Sequence, residues 1–177
     1  ASSIGLALAK RGKMGRHVVV VKSTVPPGTT ESLEPVIRRE GAKDFGLCMN
    51  PEFLREGNAV HDFMKPDRIV VGAAKEKDAD AVVKLYSRIK GPRLKTDLRT
   101  AEMIKYASNA FLATKISFAN ELANMCEKFG VDVYEVADGM GHARRIGRAF
   151  LNAGAGFGGS CLKKDALSLL TEARSRG

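Results

Sequence analysis

The chain is poor in the residues that would place it in several common classes. Only 3 of its 177 residues are cysteine. Cys48, Cys126 and Cys161 are too scattered for a disulfide framework or a thiolate metal site, so no metal is expected and a reducing, cytoplasmic setting is. No apolar run approaches the length of a bilayer span, and the first residues lack the charged-then-apolar order of a signal peptide, so no membrane partner is expected. Aromatics are sparse, with 8 Phe, 3 Tyr and no Trp. Without aromatic platforms on strands or a recognition-helix motif, nucleic acid is not the expected partner either. The net charge of +9 favours some anionic ligand, a nucleotide or a phosphorylated metabolite, although Lys and Arg are spread out with no long basic run. Internal repeats and low-complexity linkers are also absent.

What is present is an ordinary globular composition, 44% hydrophobic and 28% charged, in a chain long enough for one good core or two small ones. "SSIGLALAKRGKMG" reads as the end of an amphipathic helix. "RHVVVVKS" is a buried β-branched strand. "TVPPGTTESLEPVIRRE" opens on a Pro-Pro-Gly turn and a Thr N-cap region and continues as a helix. "DFGLCMNPEF", "DRIVVGA" and "GPRLKTD" are further strands, with "EKDADAVVKLYSRIK" a helix between the last two. This order predicts the C-terminal part of a Rossmann-like parallel sheet, an α/β layer over residues 1–96.

From Asp97 the texture becomes all-α. Ile104, Phe111, Phe118 and Met125 recur every seven residues, with Ala107, Thr114, Leu122 and Phe129 near the intermediate positions. That pattern predicts one helix of about thirty residues, a spine for two domains or for a second subunit. "VDVYEVADGMG" and "KKDALSLLTEARSRG" are shorter helices, completing a helical domain over residues 97–177.

"GAGFGGSCLKKD" contains G-x-G-x-x-G in Gly154, Gly156 and Gly159. A dinucleotide fingerprint needs a strand before it, a helix after it and an acid about twenty residues on. Here "RRIGRAFLNA" precedes it and no second strand follows, so the match is fortuitous. The glycines instead lead to Ser160-Cys161 at a helix start. A reactive thiol is expected there, at a helix N-terminus beside Lys163 and Lys164, with Asp165 one helical turn on. Cys48, inside a strand, and Cys126, on the apolar side of the long helix, read instead as buried small hydrophobes.

Two further pairs stand out by spacing. Lys105 and Asn109 are four apart on the long helix, and Asn gains nothing there from propensity. Glu52 and Glu56 are four apart in "PEFLREG", just beyond a strand end where α/β sheets place ligands, and are expected to share a helical face.

"GFGGSCLKKD" resembles the active-site signature of the UDP-glucose/GDP-mannose dehydrogenase family, the nucleotide-sugar 6-dehydrogenases. "KSTVPPGTT", "NPEFLREGNAVHDFMKPDRIVVG", "TDLRTAEMIKYASNAFLATKISFANE" and "RIGRAFLNAG" agree in order and spacing. "NPEFLREG", "KPDRIVVG" and "RRIG" look closest to the UDP-glucose branch; a GDP-mannose or UDP-N-acetylhexosamine enzyme is the alternative. Leu162-Lys163 departs from the usual Phe-Pro after the cysteine. Members of this family carry a complete cofactor domain before, and a nucleotide-gripping domain after, the portion seen here, so an internal fragment is implied. The isolated fragment is expected to be inactive, or only a dimerisation module.

The resemblance implies NAD as cofactor and a nucleotide sugar, UDP-glucose, as substrate. It makes Cys161 the nucleophile of a two-step oxidation through a thiohemiacetal and a thioester. It casts Lys105 and Asn109 as oxyanion donors, Glu56 as the water activator and Glu52 as the residue ordering Lys105 and the sugar. Thr24 then positions water and touches the nicotinamide, with Ser23 and Lys164 as further cofactor contacts, and Asp165 partners the thiol and sugar. Phe150, Leu151, Asn152 and Gly158 are implied to wrap the substrate. Arg145 is implied to reach a neighbouring subunit's substrate across a homodimer built on the long helix.

Overall fold

Four short strands, β-branched in HVVVV and IVVGA and mixed in FGLCM and RLKT, form the sheet of the computed structural model, which describes residues 1–11 and 15–177. Gly12, Lys13 and Met14, part of the expected N-terminal helical stretch, lie outside the described residues. The order is α1 (Ser2–Lys10), β1 (His17–Val21), α2 (Thr29–Arg39), β2 (Phe45–Met49), α3 (Ala59–Met64), β3 (Ile69–Ala73), α4 (Glu76–Leu85), β4 (Arg93–Thr96), α5 (Leu98–Phe129), α6 (Val133–Gly141) and α7 (Ser160–Ser175). Residues 1–105 form one compact unit and residues 106–177 a second.

In the first unit the strands lie in the order β1-β2-β3-β4. β1 pairs parallel with β2, from His17 opposite Phe45 to Val21 opposite Met49, and β3 pairs parallel with β4. The expected parallel sheet needs one correction: β2 and β3 meet antiparallel, Cys48 opposite Ala73 and Met49 opposite Gly72. The connection between them holds only the six-residue α3, which buries no residue. A parallel return requires a helix long enough to lie across the sheet, and α3 is not.

Alternation along the strands splits the core into two faces. Cys48, Ile69 and Val71 face α4 and meet Ala79 and Val82. Phe45 and Leu47 face the other way, onto Ile37 of α2. Met49 and Val70 share that face and receive Leu98 and Ala101 of α5, with Val25, Phe53 and Ile104 packed around them. Each large apolar side chain so buried contributes about 1.5–3 kcal/mol. Gly72 makes the contact with α5 possible, because a Cβ there would lie 2.5 Å from the Asp97 carbonyl oxygen and 2.6 Å from the Ala101 Cβ.

α5 contains neither Gly nor Pro. It starts on the Asp97 carboxylate, which accepts from Thr100 N and Thr100 Oγ1 and is held below the usual carboxylate range chiefly by that hydroxyl. It ends after Phe129, where Gly130 N donates to Glu127 O and Val131 N to Cys126 O. In the second unit the buried stripe of α5 is Tyr106, Asn109, Ala113, Ala119 and Cys126. The seven-residue series Phe111, Phe118 and Met125 is not that stripe; it faces solvent in the single chain, 63%, 47% and 48% exposed.

Candidate active site

Strand direction places two groups of candidate residues at one sheet edge. Because β1 and β2 run parallel and end together at Val21 and Met49, the segments carrying Ser23, Thr24, Glu52 and Glu56 all leave from their carboxyl ends. That edge is where α/β sheets bind ligands. Ser23 is exposed and Thr24 half-buried. Glu52 and Glu56 do not share a helical face as expected: residues 51–55 form an irregular loop and 56–58 a turn. Leu54 N donates to Glu52 Oε2, a side-chain-to-backbone bond that competes with helix formation. Glu52 is half-buried and Glu56 exposed.

Lys105 comes from the opposite direction, on α5, and meets Glu52. Its Nζ lies 3.1 Å from Glu52 Oε1 and 5.4 Å from the centroid of the Phe53 ring. The ammonium is almost fully buried, 5% exposed, so the carboxylate and the ring replace the water it has lost. Phe53 carries a second cation on its ring, the Arg68 guanidinium at 3.9 Å.

Two residues that spacing alone did not single out organise this edge. Asn50, buried after β2, donates through Nδ2 to Val70 O and accepts at Oδ1 from Lys22 Nζ and Tyr86 Oη. Glu102 of α5, with no exposed surface, accepts from Gly28 N, Thr30 N and Thr30 Oγ1. α2 is therefore not capped by its own threonines. Its N-cap is Gly28 at φ 97°, a conformation in which glycine is at ease. The signal was present: a glycine N-cap supplies no side-chain acceptor, so another element must.

In the second unit, Cys161 sits in the first turn of α7, exposed, with Ser160 Oγ 3.8 Å from its sulfur. Cys48 and Cys126 are buried. One turn beyond Cys161, Asp165 is 1% exposed and accepts at Oδ2 from Asn109 Nδ2 at 2.6 Å. Its other oxygen, Oδ1, is buried without a hydrogen-bond partner among the described residues. The nearest cation to it is Lys164 Nζ, at 3.6 Å and largely in solvent.

The 150–154 backbone is held from two sides, by Asn120 Oδ1 accepting from Gly154 N and by Tyr134 Oη donating to Ala153 O. Within it Phe150 adopts φ 65°, uncommon for a non-glycine residue. Leu151 is buried, and Asn152 accepts from Arg148 Nη1. Arg145, Gly158 and Lys164 are exposed. The structure thus joins Glu52 with Lys105 and Asn109 with Asp165, whereas Glu56, Arg145 and Gly158 stand on exposed loops. Among the described residues no group of three or more His, Cys, Asp and Glu could hold a metal ion, and no helix is long and apolar enough to cross a membrane.

Residues 2–90 match the model for the NAD binding domain of the UDP-glucose/GDP-mannose dehydrogenase family, and residues 99–177 match that for its central domain. UDP-glucose 6-dehydrogenase TuaD of Bacillus subtilis is 52% identical, covering 92% of this chain and 36% of its own length. UDP-glucose 6-dehydrogenase AglM of Haloferax volcanii is 47% identical, covering 100% of this chain and 43% of the relative. A solved UDP-glucose dehydrogenase from the archaeon Pyrobaculum islandicum superposes with a TM-score of 0.94 at 46% identity, over 99% of this chain and 41% of that one. GDP-mannose dehydrogenase from Pseudomonas aeruginosa gives a TM-score of 0.74 at 37% identity, over 98% and 42%. The chain spans 36% and 43% of the length of these two curated relatives.

Proposed function

Because the chain belongs to the UDP-glucose/GDP-mannose dehydrogenase family, we propose that it is the cofactor-and-nucleophile portion of an NAD-dependent enzyme oxidising UDP-glucose to UDP-glucuronate. The observation that carries this reading is Cys161, exposed in the first turn of α7, one turn before the buried carboxylate of Asp165 that Asn109 holds. The identity of the curated relatives supports UDP-glucose as the sugar nucleotide.

The carboxyl edge of β1 and β2 fits the nicotinamide end of a dinucleotide, since exposed Ser23 and half-buried Thr24 carry hydroxyls there beside a parallel pair. NAD bound there supplies a hydride acceptor for each of two oxidations. The first oxidation takes a hydride and a proton from the C6 alcohol and leaves an aldehyde. The thiolate of Cys161 adds to that aldehyde, forming a C–S bond and an alkoxide that takes up a proton. A bare aldehyde has no tetrahedral hydride donor, and this adduct provides one. Oxidation of the adduct leaves a thioester on Cys161. Water then adds to the acyl carbon, the C–S bond breaks, and the carboxylate leaves while the thiolate is restored.

Lys105 and Asn109, one turn apart on α5, donate to the oxygen that becomes negative in the addition and hydrolysis steps. Glu52 keeps Lys105 in place through their ion pair. Glu56, exposed beyond the same loop, takes the proton of the attacking water, which Thr24 helps to orient. Asp165 accepts from a sugar hydroxyl through Oδ1, which supplies the partner that atom lacks. The 149–154 backbone wraps the sugar diphosphate, the exposed face of α5 forms a homodimer, and Arg145 reaches the substrate of the neighbouring subunit.

A single-turnover experiment on the complete polypeptide carrying these residues tests the scheme. Glu56→Gln is expected to transfer both hydrides and then accumulate a uronyl adduct, visible by intact mass on the peptide containing Cys161. An adduct on Cys48 or Cys126 would remove the nucleophile assignment, as would normal turnover in Cys161→Ser.

A further inference from the structure

Glu102 is a completely buried carboxylate, and the chemistry proposed above gives it no task. Burying such a group is costly unless its charge is met by donors. Here three meet it: Gly28 N at 2.6 Å and Thr30 N at 2.8 Å, both at the positive end of α2, and Thr30 Oγ1 at 2.6 Å. An apolar side chain at 102 with a conventional Ser or Asp cap at 28 would complete α2 without any buried charge. Glu102 instead ties the start of α2 to α5, three residues before Lys105.

The tie bears on Thr24. Between the end of β1 at Val21 and the anchor at Gly28 lies a seven-residue stretch, 22–28, containing Pro26 and Pro27. Proline fixes φ, so the second half of this stretch is stiff and its position follows its far anchor. Val25 packs on the cluster of Met49, Val70, Leu98 and Ala101, which fixes the same segment against the same helix. We propose that Glu102 is a positioning residue: its carboxylate on α5 anchors the Pro26–Gly28 turn and thereby sets where Thr24 stands relative to Lys105. This rests on the role given to Thr24 above.

The test is a double-mutant cycle in the complete polypeptide, joined to amide hydrogen exchange. Glu102→Gln turns an amide NH2 toward the Gly28 or Thr30 donors. It is expected to lower kcat roughly tenfold to a hundredfold with the nucleotide-sugar KM within about twofold. In a Thr24→Ala background, itself slow, the same change should cost less than about twofold more, because the residue being positioned is already gone. The Gly28 and Thr30 amides should exchange about tenfold faster or more in Glu102→Gln, with α5 protection unchanged, and this readout needs no cofactor. Losses that multiply across the cycle would mean general destabilisation and would overturn the inference; so would unchanged exchange at Gly28 and Thr30. If Thr24→Ala alone leaves kcat intact while the amides are released, the role of Thr24 is what fails, and the functional half of the inference falls with it. If Glu102→Gln does not fold, Thr30→Val, which removes one of the three donors, is carried through the same cycle with the same two criteria.

Discussion

Asn109 Nδ2 donates to Asp165 Oδ2 across 2.6 Å, joining α5 to α7 between two buried side chains. The carboxylate is met on one oxygen only, since Oδ1 has no hydrogen-bond partner among the described residues. An arrangement that leaves a buried charge half-satisfied lowers stability and is kept where a ligand completes it. Asp165→Asn preserves the shape and the acceptor for Asn109 while removing the charge. Its melting temperature is expected to stay within about 3 °C of the parent or to rise. Turnover of the complete polypeptide should fall at least about a hundredfold. A variant that unfolds, or one that keeps its activity, would contradict this.

The three thiols differ in a way that alkylation reads directly. Cys161 is exposed, whereas Cys48 and Cys126 are buried. Burial pushes the Cys48 thiol up to about 12, with nearby Asp78 adding to the effect. The thiolate is the reactive form, so iodoacetamide at neutral pH should add once to the native chain, at Cys161, and three times in denaturant. Labelling of Cys48 at a comparable rate in the native state would show that β2 is not packed as described.

Acid should weaken the first unit through carboxyls that hydrogen bonds hold depressed, among them Asp78. Arg16 donates through Nε and Nη2 to the two oxygens of Asp78, both at 2.9 Å, and Asp78 is almost fully buried at the start of α4. The Arg16 hydrogen bonds hold the Asp78 carboxyl below its ordinary range. A depressed carboxyl stabilises the fold above its unfolded value, about 3.9, and that stabilisation is lost as pH falls through the folded value. Asp97, depressed by Thr100, acts in the same direction. The melting temperature should therefore drop steeply below about pH 4. Asp78→Asn should flatten that limb while costing about 3 kcal/mol at neutral pH. An acid limb identical in the variant would refute the assignment.

Much of this fold was legible from local pattern. The β-branched runs, the Pro-Pro-Gly turn and the uninterrupted α5 each carried a one-dimensional signal, and so did Cys161 at a helix start after glycines. Less legible was whatever depended on pairing across the chain. The antiparallel meeting of β2 and β3 follows from an α3 too short to cross the sheet, a fact of length that strand composition does not encode. Glu52 and Glu56 had helical spacing, but Glu52 bonds Leu54 N and residues 51–55 form no helix. The partnership of Glu102 with Gly28 and Thr30 spans over seventy residues of sequence. Nothing near either end announces it except a helix start without a cap of its own.

The exposed stripe on α5 gives the last prediction. Phe111, Phe118 and Met125 are spaced by seven on one helix and are 63%, 47% and 48% exposed in the single chain; Phe129, at its end, is 81% exposed. Isolated apolar residues on a surface are ordinary, but a row of them along one helix face makes a continuous patch of the kind that associates. The buried side of the helix is already supplied by Tyr106, Asn109, Ala113, Ala119 and Cys126, so this row is not needed for the chain's own core. A second copy of the same helix is the proposed cover, since a self-complementary two-fold contact is the commonest symmetric interface. Phe118→Asp separates folding from assembly. In the monomer the side chain is half in solvent, so a carboxylate there should leave the fold and its helix content intact. In a two-fold interface it would bury two like charges close together, enough to weaken the dimer about a thousandfold or more. Light scattering at micromolar concentration should give the mass of two chains for the parent and of one chain for the variant, with matching circular dichroism. A parent of single-chain mass, or a folded Phe118→Asp that keeps the parent's mass, would mean that this face serves something other than a second copy of the chain.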